Sequence, residues 1–158
     1  AKYTDPAQAT AALNAVPAQR FVADMKAGVD ELLRREPGRK PGAVGFCFGG
    51  GMVWSLLAAG EPRLRAAAPF YGPLPDGADL SGSRGAAVLA IYAEQDTRVN
   101  ATRDAARAAL GKAGLTHEIV TYAGANHAFF NDTGARYVPK AAAEAYQKVL
   151  AWFGQHLA

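Results

Sequence analysis

The run Gly45-Phe46-Cys47-Phe48-Gly49-Gly50 constrains this chain more than any other segment. A short apolar stretch, Ala43-Val44-Gly45-Phe46, leads into it, and an apolar helical pattern from Met52 to Ala59 leads out. This reads as strand, very tight turn, helix, with the strand at about 42–46 and the helix at about 49–59. A G-x-nucleophile-x-G turn of this kind lifts one side chain above the end of a sheet, and here that side chain belongs to the only cysteine, Cys47. So sharp a turn holds its apex residue in an unusual backbone conformation. Neighbouring chain passes close by, so Gly45 and Gly49 are expected where only a hydrogen fits, with Gly50 and Gly51 leaving further room. The sulfur then lies at the start of a helix, where unpaired N–H groups and the positive dipole end favour an anion. The thiolate is the reactive form of cysteine. The backbone N–H of Phe48 is one expected donor to an oxyanion. Taken alone, a single cysteine reads more often as a small buried hydrophobe, so the rest of the chain decides.

A nucleophile needs a base, and the base needs an orienting group. Val88-Leu89-Ala90-Ile91-Tyr92-Ala93 is a strand-like apolar run that ends in Glu94-Gln95-Asp96. Ile119-Val120-Thr121-Tyr122 is another, leading into the loop Ala123-Gly124-Ala125-Asn126-His127. Ligands of open α/β sheets bind at the carboxyl ends of strands. Cys47, Asp96 and His127 all fall at such ends, in the order nucleophile, acid, histidine. Asp96 also reads as a turn or helix-cap residue. Glu94 is an alternative acid, closer to the strand body, and Asp132 could orient His127 locally. His117 lies inside a strand and His156 near a helix end, where a cation suits the dipole.

Four segments together resemble the dienelactone hydrolase family (carboxymethylenebutenolidase-like): Gly45 to Gly50, Phe70-Tyr71-Gly72, Ala93 to Asp96, and Gly124-Ala125-Asn126-His127-Ala128-Phe129-Phe130-Asn131-Asp132. The resemblance implies an α/β-hydrolase-type fold, a mostly parallel sheet flanked by helices. It also implies a triad that falls here on Cys47, His127 and Asp96. The family hydrolyses lactones and some esters without a metal or organic cofactor. Its type reaction opens dienelactone to maleylacetate in the breakdown of chlorinated aromatics. Members of the family are longer at the N-terminus, where they carry the first strands, the second oxyanion donor and a glutamate linked to cysteine activation. This chain is therefore expected to be the C-terminal part of a single domain. Its remaining strands would come from an N-terminal portion of the same protein or from a second protomer. Well-known members place an arginine shortly after the histidine to hold a substrate carboxylate. Here Phe129, Phe130 and Asn131 follow, and Arg136 comes later, so a broader lactone or ester substrate is expected. Phe46, Phe48, Tyr71 and Phe129 are candidates for apolar substrate walls, against the ordinary alternative of core packing. A non-catalytic ligand-binding or assembly module on the same fold stays open as the other reading.

With 158 residues and half of them hydrophobic, a single globular domain is expected. The net charge of +3 is a weak basic bias. The densest cluster, Arg34-Arg35 with Arg39-Lys40, reads as a solvated helix end rather than a nucleic-acid surface, since no aromatics interleave with it. One cysteine excludes an intrachain disulfide and any cysteine-rich zinc site. There is no apolar run of membrane-spanning length and no signal peptide at Ala1, so no membrane partner and a cytoplasmic location are expected.

Helices are predicted over 5–15, from Pro17 to Pro37-Gly38, from Arg103 to Lys112 with Asn100 as cap and Gly114 as stop, and from Pro139 onward. The last is expected to bury Tyr146, Val149, Leu150 and Phe153. Strands are predicted at 42–46, Ala66–Phe70, Val88–Ala93 and 116–122, with a turn-rich loop from Tyr71 to Gly85. Strands alternating with helices argue for a parallel sheet. The elbow strand is nearly all apolar, as in sheets covered on both faces.

Overall fold

Four strands run parallel and side by side in chain order: β1 (Gly42–Phe46), β2 (Ala66–Phe70), β3 (Ala87–Ala93) and β4 (His117–Tyr122). The computed structural model describes residues 4–158. Because all strands point the same way, the residues that follow them collect along one edge of the sheet. Those that precede them collect along the other.

The helices are α1 (Pro6–Asn14), α2 (Ala18–Arg35), α3 (Phe48–Ala58), α4 (Thr97–Asn100), α5 (Arg103–Ala113) and α6 (Pro139–Leu157). Helices pack on both faces of the sheet, as is usual for an all-parallel sheet, although Val44 and Phe46 of β1 stay substantially exposed. The period-two alternation of β3 splits its residues between two cores. Val88, Ala90 and Tyr92 face Val53, Trp54 and Leu57 of α3 and Leu110 of α5. Leu89, Ile91 and Ala93 face the opposite core, which holds Ala141 and Ala145 of α6 together with Phe70, Tyr122 and Phe129. Fully burying one such Leu, Ile or Phe side chain contributes about 1.5–3 kcal/mol, so the two cores fix the strands that carry the edge residues.

Outside the elbow and the histidine loop, the structure departs from the sequence expectations in two places, each for a local reason. Asn100 does not cap α5. A short helix, α4, intervenes, with Asp96 as its N-cap, and Asn100 instead donates its side-chain N–H to the C=O groups of Ala93 and Glu94 at 2.8 and 3.0 Å. On α6 Val149 and Phe153 pack against the core as expected, but Tyr146 and Leu150 do not, and small residues take the closest contact instead. Ala141, Ala142 and Ala145 are buried, whereas Tyr146 and Leu150 are 52% and 49% exposed. The alanines let the helix lie close on β3, and Trp152 Nε1 anchors it by donating to the C=O of Ala87 at 3.2 Å. The loop after β2 carries a 3-10 turn over Ser81–Ser83, pinned by the buried Ser83 hydroxyl. That hydroxyl accepts from the N–H of Glu61 and donates to the C=O of Leu57. Gly114 closes α5 as expected, with φ +68°. Among the described residues no helix is long and apolar enough to cross a membrane.

Candidate active site

The elbow joins β1 to α3 with no intervening loop. Cys47 follows the last residue of β1 and precedes the first of α3, and its backbone sits at φ 55°, ψ −115°. A non-glycine residue at positive φ is strained, at a cost on the order of 1–3 kcal/mol. The strain is held by neighbours. The Cys47 N–H donates to the C=O of Phe70 at 3.1 Å, and its C=O accepts from the N–H of Gly51 at 3.1 Å. A Cβ at Gly45 would lie 2.1 Å from the carbonyl oxygen of Gly49, and one at Gly50 would lie 2.3 Å from the carbonyl oxygen of Phe70. At Gly49, by contrast, a Cβ would meet nothing within 4 Å. The crowded glycines flanking Cys47 are therefore Gly45 and Gly50, not Gly45 and Gly49 as the sequence pattern suggested. Gly49 contributes its backbone, against which Gly45 packs, and its own Cα faces open space.

The three groups expected at the carboxyl edge lie in contact there. Cys47 Sγ is 3.0 Å from His127 Nε2, and His127 Nδ1 is 2.5 Å from Asp96 Oδ2. Asp96 is buried at 6% exposure, and its other carboxylate oxygen accepts from the N–H of Val99. Asp96 thus caps α4 with one carboxylate oxygen and contacts His127 with the other. Cys47 is exposed and has no disulfide partner. Its Sγ lies at the head of α3, where the dipole and free N–H groups favour a developing negative charge. The N–H of Phe48, first in α3, belongs to that same set.

His127 rides on a loop whose shape is set by residues that sequence reasoning did not assign. Glu94 Oε2 accepts from the N–H of Gly124 at 2.8 Å, and the Gln95 N–H donates to the C=O of Ala125 at 2.9 Å. Asn126 Oδ1 accepts from the N–H of His127 itself at 2.7 Å. Glu94 therefore fixes the loop and does not touch the imidazole. Asp132 is exposed and makes no ion pair among the described residues. The only sequence signal for the Glu94 role was its place at the end of β3, shared with Asp96.

Aromatic rings back the histidine. Tyr71, at 2% exposure, sets its ring centroid 5.1 Å from that of His127, edge to face. Burial, with the Cys47 charge as the smaller cause, pushes its hydroxyl up to about 12. It therefore stays protonated at neutral pH. Phe129, expected as a substrate wall, is fully buried behind Tyr71 and Tyr122, at centroid distances of 5.6 and 5.2 Å. It has no free surface to offer a ligand, because the turn after His127 folds it into the core below the loop. Phe46 stacks on Phe130 at 5.2 Å and lies tilted against Phe70 at 4.6 Å, and it does not line the cleft beside the sulfur. That cleft, of about 320 Å³, is lined by Cys47 and Phe48, by Pro73, Leu74 and Pro75 of the turn-rich loop after β2, and by Met52, Ser55 and Arg98, which the sequence left unassigned. It is mostly apolar, with Arg98 the one charged group on its wall.

Comparison with known proteins places this geometry. The chain matches the dienelactone hydrolase family over residues 1–157. A Salmonella typhi protein named "Putative carboxymethylenebutenolidase" is 38% identical over 127 residues, covering 72% of this chain and 45% of the relative. One of the same name from Synechocystis is 36% identical over 138 residues, covering 77% of this chain and 54% of its own length. The chain thus spans about half the length of these curated relatives. Among solved structures, a Klebsiella pneumoniae protein titled as a putative dienelactone hydrolase superposes with a TM-score of 0.82 at 32% identity. That superposition covers 98% of this chain and 69% of the other. A dienelactone hydrolase-like promiscuous phosphotriesterase from metagenomic libraries gives a TM-score of 0.74 at 25% identity, covering 87% and 62%. Strand order, elbow and relatives agree: the chain belongs to the dienelactone hydrolase family.

Proposed function

We propose that this chain carries the catalytic groups of a cysteine-dependent hydrolase of lactones or carboxylic esters. The observation that carries the reading is the unbroken line of contacts from the Cys47 sulfur through the His127 imidazole to the Asp96 carboxylate. The names of the relatives, carboxymethylenebutenolidase and dienelactone hydrolase, support the same reaction class.

In the first half-reaction the Cys47 sulfur attacks the substrate carbonyl carbon, and its proton passes to His127 Nε2. Asp96 Oδ2 accepts from Nδ1–H, holds the tautomer and stabilises the imidazolium. The carbonyl oxygen becomes an oxyanion at the head of α3, where the N–H of Phe48 donates to it. When the tetrahedral species collapses, the C–O bond breaks and His127 returns the proton to the departing oxygen. In a lactone that alcohol stays tethered to the acyl group. In the second half-reaction His127 takes a proton from water, the hydroxide attacks the thioester, and the carboxylic acid leaves as Cys47 is restored. Phe46, Phe48 and Tyr71 border the site, and the apolar cleft beside the sulfur receives one end of the substrate. General acid–base help of this kind is worth about 10²–10⁴-fold. Cys47→Ala and His127→Ala are each expected to lower turnover of aryl esters or lactones by at least that range. Unchanged turnover in either variant contradicts the reading.

The outer edge of β1 belongs to the same proposal. Val44 and Phe46 are 48% and 41% exposed, and among the described residues β1 is bonded to β2 alone. A groove of about 580 Å³, lined by Met25, Val29, Leu32, Val44 and Met52 among others, runs beside it. An apolar strand edge with unpaired N–H and C=O groups is a template for a further strand. We infer that an N-terminal portion of the same protein, or a second protomer, supplies it. The 16.5 kDa chain alone is then expected to self-associate in light scattering. A folded, monodisperse monomer would contradict this.

A further inference from the structure

The edge of the sheet opposite Cys47 holds a second, larger concavity of about 730 Å³. Its floor is made where the strands begin: Pro41 ahead of β1, Arg65 ahead of β2, Ala86 and Ala87 at the start of β3, and Thr116 ahead of β4. Among the described residues five cations line it, Arg39, Lys40, Arg63, Arg65 and Arg84, and no carboxylate does. They come from three separate stretches of chain. In the sequence only Arg39-Lys40 stood out, as part of a helix end.

Cations at this edge have two ordinary uses. Helices α2, α5 and α6 finish here, and a cation near a helix C-terminus is favourable. Ion pairing is the other use. Two of the five are taken up in this way. Lys40 Nζ donates to the C=O of Ala158. Arg63 donates to both carboxylate oxygens of the buried Glu61 and also reaches Asp30. The guanidinium groups of Arg39, Arg65 and Arg84 make no hydrogen bond or ion pair among the described residues. Arg65 is nonetheless held in place at its root. Its N–H donates to the C=O of Pro41 and its C=O accepts from the N–H of Ala87, both at 2.9 Å. Its head lies across Gly85, where an added Cβ would stand 2.4 Å from Nη1. Like charges gathered in one hollow repel, and an anion entering it relieves that repulsion.

We propose that this basin is a binding site for an oligophosphate group. Guanidinium forks match phosphate oxygens two at a time, and three uncommitted arginines call for more than one phosphate. The site is remote from the sulfur: β3, seven residues long, separates the two edges by roughly 20 Å at the usual strand rise. Its occupant therefore does not compete with an ester at Cys47. The phosphate chain could belong to a nucleotide or to an inorganic oligophosphate, and the test separates these sources.

The test is calorimetric titration of the protein at low salt with sodium tripolyphosphate, orthophosphate and ATP. Tripolyphosphate is expected to bind saturably, at one per chain, at least tenfold tighter than orthophosphate. ATP binding tighter still marks a nucleotide source, and equal or weaker ATP binding marks the inorganic chain. Arg65→Gln and Arg84→Gln should each weaken tripolyphosphate at least tenfold, while Arg136→Gln, which removes a charge beyond the basin, leaves it unchanged. Arg39→Gln, on an exposed segment outside the sheet, serves if thermal unfolding shows either of the first two variants to be misfolded. No saturable binding of tripolyphosphate, or equal losses in Arg136→Gln and the basin variants, would overturn the proposal.

Discussion

Strands β3 and β1 belong to one sheet yet are held by different means. Every residue of β3 is buried, and it is bonded on both sides, to β2 and β4. Strand β1 is bonded on one side only and leaves Val44 and Phe46 substantially exposed. Yet the nucleophile candidate follows β1, while its acid partner follows β3. Burial therefore secures the acid end of the contact line. The sulfur end is secured by close backbone contacts, Gly45 on Gly49 and Gly50 on Phe70 and Gly72, and by the Cys47 N–H bond to Phe70. An elbow kept in shape by such contacts can stand at an unfinished edge, because it draws little on hydrophobic packing there.

That contrast can be broken by substitution. Trp54 is fully buried between α3 and the sheet. Trp54→Ala should cost about 3–5 kcal/mol, whereas Val44→Ala on β1 should cost about 1 kcal/mol or less, since Val44 is only half buried. Denaturant unfolding of the two variants measures the difference, and equal losses would show that β1 is buried in solution. A finer test lies within the elbow. Gly50→Ala forces a Cβ onto a carbonyl oxygen, with a loss of at least about 1–3 kcal/mol. Gly49→Ala, one residue earlier in α3, meets open space and should be neutral or stabilising by up to about 1 kcal/mol, through helix propensity. If both variants lose the same stability, the close approach at Gly50 does not hold the elbow.

Much of this was legible in the chain itself, because it depended on short-range rules. The elbow strand, the α5 stop at Gly114 and the proline that opens α6 follow from turn chemistry and apolar runs. The order Cys47, Asp96, His127 followed from which strands they end. What stayed hidden depended on side chains meeting across the fold. Glu94 reads like Asp96 in sequence, and only the path of the 123–127 loop separates one that braces a backbone N–H from one that touches imidazole. Tyr146 and Leu150 fit the apolar stripe of α6, but packing rewarded the alanine face that lets the helix approach β3. Phe129 sits beside the histidine in the chain and still turns inward. Arg65 and Arg84 have no local pattern linking them to Arg39. Their meeting is a product of topology, since residues that precede parallel strands all arrive at one edge.

The central claim is that the Cys47 sulfur and the His127 imidazole work as one unit, and alkylation of Cys47 by iodoacetamide across pH tests it most directly. The wild-type rate should run at least tenfold above that of His127→Ala near neutral pH and follow a different pH profile. Superimposable profiles for the two proteins would contradict it.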